Sequence, residues 1–156
     1  MKISIVVGGR FHAFDLAREL LHQGHLGRLI TTYPRFVTRQ WGFPDETVIN
    51  LALPLLLRQI AKQFGGEPLT MRLQAILHRL FGNYAARYVE SSDVVHGWSS
   101  FSEPAIRHAK RNGVPAVLER GSAHMLEQCD LLRDEYQRLG LRWAATHPEV
   151  VGQELR

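Results

Sequence analysis

The chain has little of what marks a secreted, disulfide-bonded or membrane-spanning protein. It contains one cysteine, Cys129, which excludes an intrachain disulfide framework and fits a reducing compartment. No apolar run approaches the roughly 18 residues needed to cross a bilayer. The N-terminus enters an apolar run at once, without the basic and then apolar segments of a signal peptide. We therefore expect a cytoplasmic protein.

Common nucleotide-binding and metal-binding motifs are also missing. The glycine-containing sequence GGRFHA (residues 8–13) lacks the G-x-G-x-x-G spacing, and Tyr33-Pro34-Arg35 lacks the acidic residue that would hold a ribose. There is no G-x-x-x-x-G-K-[ST] sequence, no H-E-x-x-H and no cysteine pair. These absences argue against a dinucleotide fingerprint, a P-loop and a zinc site, so we expect no metal and no bound cofactor.

The composition is that of one globular domain with a basic surface. The 156 residues are 45% apolar and 22% charged, with a net charge of +4 and an isoelectric point of about 9.6. Such a charge favours anionic partners such as phosphates, nucleic acid or lipid head groups, and it does not specify a fold.

The first 34 residues contain a complete βαβ pattern. Lys2–Val7 is a short β-branched run, Gly8-Gly9 interrupts it, and an amphipathic helix follows from about His12 to Gly24. A second buried strand is predicted over Leu29–Tyr33. Two such strands joined by a helix are expected to be parallel, with a right-handed crossover.

The same alternation continues along the chain. The predicted elements are a loop over 35–45, a strand over 47–53, helices over 54–64 and 69–89 separated by Gly65-Gly66, a strand over 93–97, a helix from Pro104 to Gly113, a strand over 114–119, and a helix with an apolar stripe from Leu126 to Leu139. This pattern predicts one α/β domain over residues 1–156. Its Rossmann-like, doubly wound, mostly parallel sheet should have about five strands, with helices on both faces.

The C-terminal segment, Pro148 to Arg156, is predicted to be helical, and no strand follows it. A doubly wound domain normally continues into another strand, so we expect a further part to be missing. In that case Val150, Val151 and Leu155 should be poorly covered.

Open α/β sheets bind ligands where the strands end, which directs attention to residues 8–12, 33–35, 96–102 and 119–124. Gly8 and Gly9 would let an anion approach the backbone, and Arg10 adds a charge, although glycines also serve tight turns alone. His12, on the first helical turn, is either a functional group or a structural cap. These residues are candidates for substrate or phosphate binding.

The last of these loops, E-R-G-S-A-H, brings several polar groups together. Either Glu119 and Arg120 pair with each other, or Arg120 clamps a phosphate or carboxylate while His124 donates a hydrogen bond to a substrate. Ser122 adds a hydroxyl to the same loop. In the preceding loop, Trp98 could stack on a sugar or base, or close the edge of the sheet.

Two stretches resemble a known family. GGRFHAFDLARELLHQGH (8–25) and VVHGWSSFSEPAIRHAKRNGVPAVLERGSAH (94–124) are similar to the N-terminal domain of family 4 glycosyltransferases. In that family, two Rossmann-like domains form a GT-B fold, and transfer is retaining and usually metal-independent. The N-terminal domain mainly holds the acceptor, and the second domain holds the nucleotide-sugar.

The resemblance implies roles for several residues. Gly8, Gly9 and Arg10 would lie beside the diphosphate or the acceptor, His12 would line the same crevice, and His124 would face the transferred sugar. His12 and His124 are thus the catalytic candidates. The donor-binding domain has no counterpart in the 156 residues. We therefore expect the chain to be inactive alone and to need that domain or a partner subunit, with a nucleotide-sugar and an acceptor, not nucleic acid, as its ligands.

Two alternatives remain open. The first is a non-catalytic module that binds a phosphorylated or glycosylated ligand in the same crevice. The second is a basic adaptor at the inner membrane surface, because the predicted helices from Pro54 to Val89 are amphipathic and rich in arginine. Core helices with solvated arginines have the same pattern.

Overall fold

The computed structural model describes residues 1–143, 145–146, 148, 151–152 and 155, with only the backbone described at 65–68 and 71–72. Strands and helices alternate as β1 (Ile3–Val7), α1 (Ala13–His22), β2 (Leu26–Thr31), α2 (Arg35–Gln40), β3 (Val48–Asn50), α3 (Leu53–Ala86), β4 (Val94–Trp98), α4 (Glu103–Arg111), β5 (Ala116–Glu119) and α5 (Met125–Arg138).

The strands form one parallel sheet in the order β3-β2-β1-β4-β5. β1 is central: its residue Ile3 pairs with Leu26 of β2 on one side and with Val94 of β4 on the other. The chain therefore starts in the middle of the sheet, winds outward to β3, and returns to the other side of β1. The prediction of a Rossmann-like α/β fold is confirmed.

Alternating side chains of β1 build a hydrophobic core on each face of the sheet. Ile5 and Val7 pack with Phe14 of α1 on one face, and Val6 packs with Phe81 of α3 on the other. All five of these side chains are fully buried. A strand buried on both faces is what a parallel sheet requires, and it explains the continuous apolar run that predicted β1.

Where two helices separated by Gly65-Gly66 are predicted, the structure has one helical element of 34 residues, α3, so the predicted break in the helix is wrong. A glycine costs a helix only about 1 kcal/mol and does not have to end it. A straight helix would nevertheless hold Arg58 and His78 about 30 Å apart, whereas both side chains line one cavity. The helix therefore turns back on itself between Arg58 and His78, an interval that includes Gly65, Gly66 and Pro68, residue types at which helices bend.

The predicted loop over 35–45 is also wrong in part. It contains the short helix α2, and a 3₁₀ turn, Asp45–Thr47, leads into β3. Trp41 and Phe43 lie between α2 and this turn, and each ring makes an edge-to-face contact with Phe14. The centroid distances are 6.0 Å for Trp41 and 5.6 Å for Phe43. Burial of these aromatic rings against α1 holds the segment close to the sheet, and the packing favours a short helix where the sequence predicts a loop.

The other edge of the sheet is poorly covered. Val117 and Leu118 of β5 are both exposed, although their side chains point to opposite faces. No residue of α5 is buried, so the apolar stripe predicted for that helix does not pack into a core.

At the end of the described chain, Pro148, Val151 and Gly152 are helical. Leu155 is exposed, as expected, and Val151 is half-buried. Val150 lies outside the described residues. Among the described helices, none combines the length and the apolar character that a membrane crossing would need.

Gly82 tests the contact between α3 and α4. A Cβ atom there would lie 2.7 Å from the Phe101 carbonyl oxygen and 2.6 Å from Pro104 Cδ. We expect Gly82→Ala to lower the free energy of unfolding by about 1–3 kcal/mol, although alanine usually stabilises a helix interior. Gly152→Ala is the control, because a Cβ there meets no atom within 4 Å. Equal urea-unfolding midpoints for Gly82→Ala and the parent chain would contradict this close approach.

Candidate functional site

The sheet has a topological switch point between β1 and β4. The chain leaves β1 toward α1 on one face and leaves β4 toward α4 on the other, so a crevice opens where these two strands end. Two cavities of about 390 Å³ each lie at this edge. Each volume is within the range of small-molecule sites, about 300–1,000 Å³.

The first cavity, here called the α3 cavity, lies between the ends of β1 and β2 and the two arms of α3. Its lining includes Gly8, Tyr33, Leu55, Arg58, His78 and Phe101. Burial, together with the charge of Arg58, lowers the pKa of His78 to about 4. At neutral pH His78 is therefore uncharged, and its Nδ1 is buried without a hydrogen-bond partner.

The second cavity, here called the β4–β5 cavity, lies at the ends of those two strands and combines apolar with polar side chains. Its lining includes His12, Trp98, Ser99, Arg120, Ser122 and Met125. An imidazole, a guanidinium and three serine hydroxyls (Ser100 also lines this cavity) surround one opening, and they suit a ligand that carries hydroxyl or anionic groups.

Phe11, Ser100 and Phe101 line both cavities and form the wall between them. Phe11 and Ser100 have φ angles of 41° and 70°, in the left-handed region that non-glycine residues seldom adopt. Each such conformation costs on the order of 1–3 kcal/mol, and such residues cluster at functional sites. The backbone strain at Phe11 and Ser100 therefore lies in the crevice at the switch point of the sheet.

Glu119, the last residue of β5, joins the loop that follows β1 to strand β4. His12 donates from Nε2 to Glu119 Oε1, and His96 donates from Nε2 to Glu119 Oε2 at 2.8 Å. Desolvation alone would raise the pKa of the Glu119 carboxyl, but the hydrogen bonds from His12 and His96 outweigh it and hold that pKa below its usual value. Glu119 is therefore ionised at neutral pH.

This arrangement fixes what the two imidazoles can do. Because a carboxylate only accepts hydrogen bonds, Nε2 of His12 and of His96 carries the hydrogen, which leaves Nδ1 as the acceptor in the neutral ring. The His12 side chain is 58% exposed and the His96 side chain 19%. His12 is thus the ring that a ligand hydroxyl can reach, held in place by Glu119 as a general base is held by an orienting carboxylate.

Trp98 packs inside this group. Its ring stacks on His96 at a centroid distance of 4.8 Å and meets His12 edge-on at 5.4 Å. It is 4% exposed, so little of its ring surface is open to a sugar or base. Its Nε1–H is buried without a hydrogen-bond partner, at the border of the β4–β5 cavity.

Gly8 and Gly9 line the α3 cavity, but aromatic rings of the chain itself cover them. A Cβ on Gly8 would lie 2.1 Å from the Phe101 ring, and one on Gly9 would lie 2.7 Å from the Phe11 ring. The glycines are therefore needed for these close contacts. Arg10 lies with its guanidinium carbon 4.6 Å from the centre of the Trp41 ring and lines neither cavity.

The loop after β5 is organised by Arg120. Its Nε donates to the Ala123 carbonyl oxygen at 2.6 Å, and its Nη2 donates to Gln128 Oε1 at 3.0 Å. Ser122 Oγ donates to the same amide oxygen at 3.1 Å. The Glu119 carboxylate accepts its hydrogen bonds from His12 and His96, whereas the sequence suggests Arg120 as its partner. His124 is the exposed N-cap residue of α5 and lines neither cavity.

The sequence selects the loop that begins at His96 without assigning that residue a role, and it does not single out Phe11, Ser100, Arg58 or His78. The strand-end rule does select the loops that contain Phe11 and Ser100. No local signal selects Arg58 and His78, because they reach the crevice only through the reversal of α3.

Within the described part of the chain, no three His, Cys, Asp or Glu side chains are arranged to hold a metal ion. Comparison of the chain with protein-family models, curated proteins and solved structures found no match. The fold and this crevice therefore define the chain as a Rossmann-like α/β protein with a candidate small-molecule site.

Replacing Glu119 by glutamine tests the link between the histidines. Because the folded-state pKa lies below the ordinary value of 4.5, the carboxylate stabilises the fold above pH 4.5, and this stabilisation is lost as the pH falls through the folded-state pKa. We expect Glu119→Gln to lower the free energy of unfolding by about 1 kcal/mol at pH 7, with the difference shrinking below about pH 4.

The measurement is urea unfolding across this pH range. Glu127→Gln, on the exposed first turn of α5, is the control and should behave like the parent chain. A loss for Glu119→Gln that stays constant between about pH 3.5 and pH 7 would refute a role for the ionised carboxylate.

Proposed function

We propose that this chain is the acceptor-binding half of a retaining, nucleotide-sugar-dependent glycosyltransferase of the family 4 type. The observation that carries the proposal is the histidine pair bridged by Glu119, at the switch point of a Rossmann-like sheet and beside the β4–β5 cavity. The resemblance of residues 8–25 and 94–124 to the family's N-terminal domain supports the same assignment.

An acceptor suits this crevice better than the diphosphate of a donor. Phosphate sites in this fold use open glycine backbone at the start of the first helix. Here the rings of Phe101 and Phe11 occupy the space over Gly8 and Gly9. Arg10 lies against Trp41, away from both cavities. The cations and helix ends that neutralise the leaving diphosphate therefore belong to a donor-binding domain or partner subunit.

His12 and Phe11 are the residues best able to hold a sugar acceptor. His12 Nδ1 accepts a hydrogen bond from the acceptor hydroxyl, and Glu119 keeps the ring oriented. Phe11, 58% exposed, offers its face to the apolar side of a sugar ring, a role that the buried Trp98 does not fill. His124 lies at the start of α5 and lines neither cavity, so the role that the resemblance implies for it, facing the transferred sugar, depends on the donor-binding domain or partner subunit.

The α3 cavity supports a second candidate function. The lining of this cavity is mostly apolar and includes the positively charged Arg58. The neutral His78 adds a buried Nδ1 atom without a hydrogen-bond partner. A non-catalytic module could bind a phosphorylated or glycosylated ligand there, without a histidine–carboxylate pair at the rim. The two candidates therefore place the ligand on opposite sides of the wall formed by Phe11, Ser100 and Phe101.

Ligand binding to the purified chain distinguishes these candidates. Saturation-transfer NMR with a panel of alkyl glycosides and sugar phosphates should detect millimolar binding of at least one glycoside. His12→Ala should weaken it by about tenfold, through loss of one charge-assisted hydrogen-bond network. His22→Ala, at the exposed far end of α1, is the matched control and should bind like the parent chain.

Loss of binding in Arg58→Ala, with binding retained in His12→Ala, would favour the non-catalytic module. Absence of glycoside binding in the parent chain would overturn the proposed function. We also expect no sugar transfer when the chain alone is incubated with nucleotide-sugars and the bound glycoside, and turnover under these conditions would contradict its assignment as a half-enzyme.

A further inference from the structure

The α3 cavity lies beside the acceptor crevice and is lined mainly by apolar side chains. Leu55, Leu77, Phe101 and the exposed ring of Phe11 contribute to its surface. Its volume of about 390 Å³ is enough for a small molecule. Pockets of this kind bind ligands through apolar contact and orient them through a few polar groups. The polar groups of this cavity therefore indicate which ligand it takes.

The charge in this lining is of one sign. Arg58 is exposed and belongs to the lining, so its guanidinium lies at the opening of the cavity. None of the described lining residues is an aspartate or a glutamate. In the part of the chain that the structure describes, Arg58 forms no ion pair with a carboxylate. An exposed arginine is common on a protein surface, but this one gives an apolar cavity a positive opening, which favours an anion.

His78 adds a neutral hydrogen-bond donor to the same lining. Burial and then the charge of Arg58 lower the pKa of His78 to about 4, so the two groups lie within electrostatic reach of each other. In the neutral ring, one nitrogen carries the hydrogen and the other accepts. Nδ1 is buried without a partner, and a buried N–H without an acceptor is costly. We therefore assign the hydrogen to Nε2, the ring nitrogen that remains for a ligand.

We propose that the α3 cavity binds a small amphiphile, a molecule with one oxyanion head group and an apolar body. The Arg58 guanidinium and the His78 Nε2–H donate to the head group, and the apolar body packs against Leu55, Leu77 and Phe101. One anionic group matches the one formal cation of the described lining. The proposal is independent of the glycosyltransferase assignment, because the acceptor lies in the β4–β5 cavity, on the other side of the wall.

Methyl NMR of the chain with hexanesulfonate tests this site directly. Hexanesulfonate should bind with millimolar affinity or better and shift the methyl signals of Leu55 and Leu77. Methanesulfonate, which lacks the apolar body, should bind at least about tenfold more weakly. Arg58→Gln should weaken hexanesulfonate binding by about tenfold, because the head group loses its charged donor. The same substitution should leave the binding of hexanol, which carries no charge, unchanged.

The matched control is Arg79→Gln, which removes the same charge from an exposed position of the same helix that lines neither cavity. It should bind hexanesulfonate like the parent chain. Equal weakening in Arg58→Gln and Arg79→Gln would reveal only general charge attraction and overturn the proposal. So would no binding by the parent chain, or shifts confined to the β4–β5 cavity, such as that of the Met125 methyl group. Glycoside binding is measured separately at His12, so this site and the proposed function can fail independently.

Discussion

The contacts of Phe101 join the parts of the chain that form the crevice. Its ring fills the space over Gly8 after β1 and packs against His78 of α3 at a centroid distance of 4.1 Å. Its carbonyl oxygen lies where a side chain on Gly82 would be. The loop after β4 is therefore fixed to the loop after β1 and to the side of α3 that carries His78 and Gly82, which lie about one helical turn apart. Phe101 shares the wall between the two cavities with Phe11 and Ser100.

Most of the fold was predictable because its signals are local. The apolar run of β1, the glycines beside it and the period of α1 specify a βαβ unit without reference to the rest of the chain. The errors occur where distant packing overrides local preference. Trp41 and Phe43 bury against Phe14, which produces α2 inside an expected loop, and α3 stays helical through residues that usually end a helix.

The site was predictable in position and not in its contacts. The strand-end rule selects the loops of His12, His96 and Glu119, which converge as parallel topology requires. The sequence suggests the adjacent Arg120 as a partner for Glu119. The actual partners, His12 and His96, are 107 and 23 positions away in the chain, so no local pattern indicates them. Gly8 illustrates the same limit: the sequence leaves open a ligand or a tight turn, and the deciding neighbour, Phe101, is 93 positions away.

The central position of β1 also affects how the sheet assembles. Ile3 meets Leu26 across a short stretch of chain but meets Val94 only across a much longer one. Closing the longer loop costs about 1 kcal/mol more in chain entropy. During synthesis, β1, α1 and β2 can associate while the other edge of β1 still lacks its neighbour. That edge is open to pairing with other chains until β4 emerges, so the nascent protein is most prone to aggregation over the translation of α3.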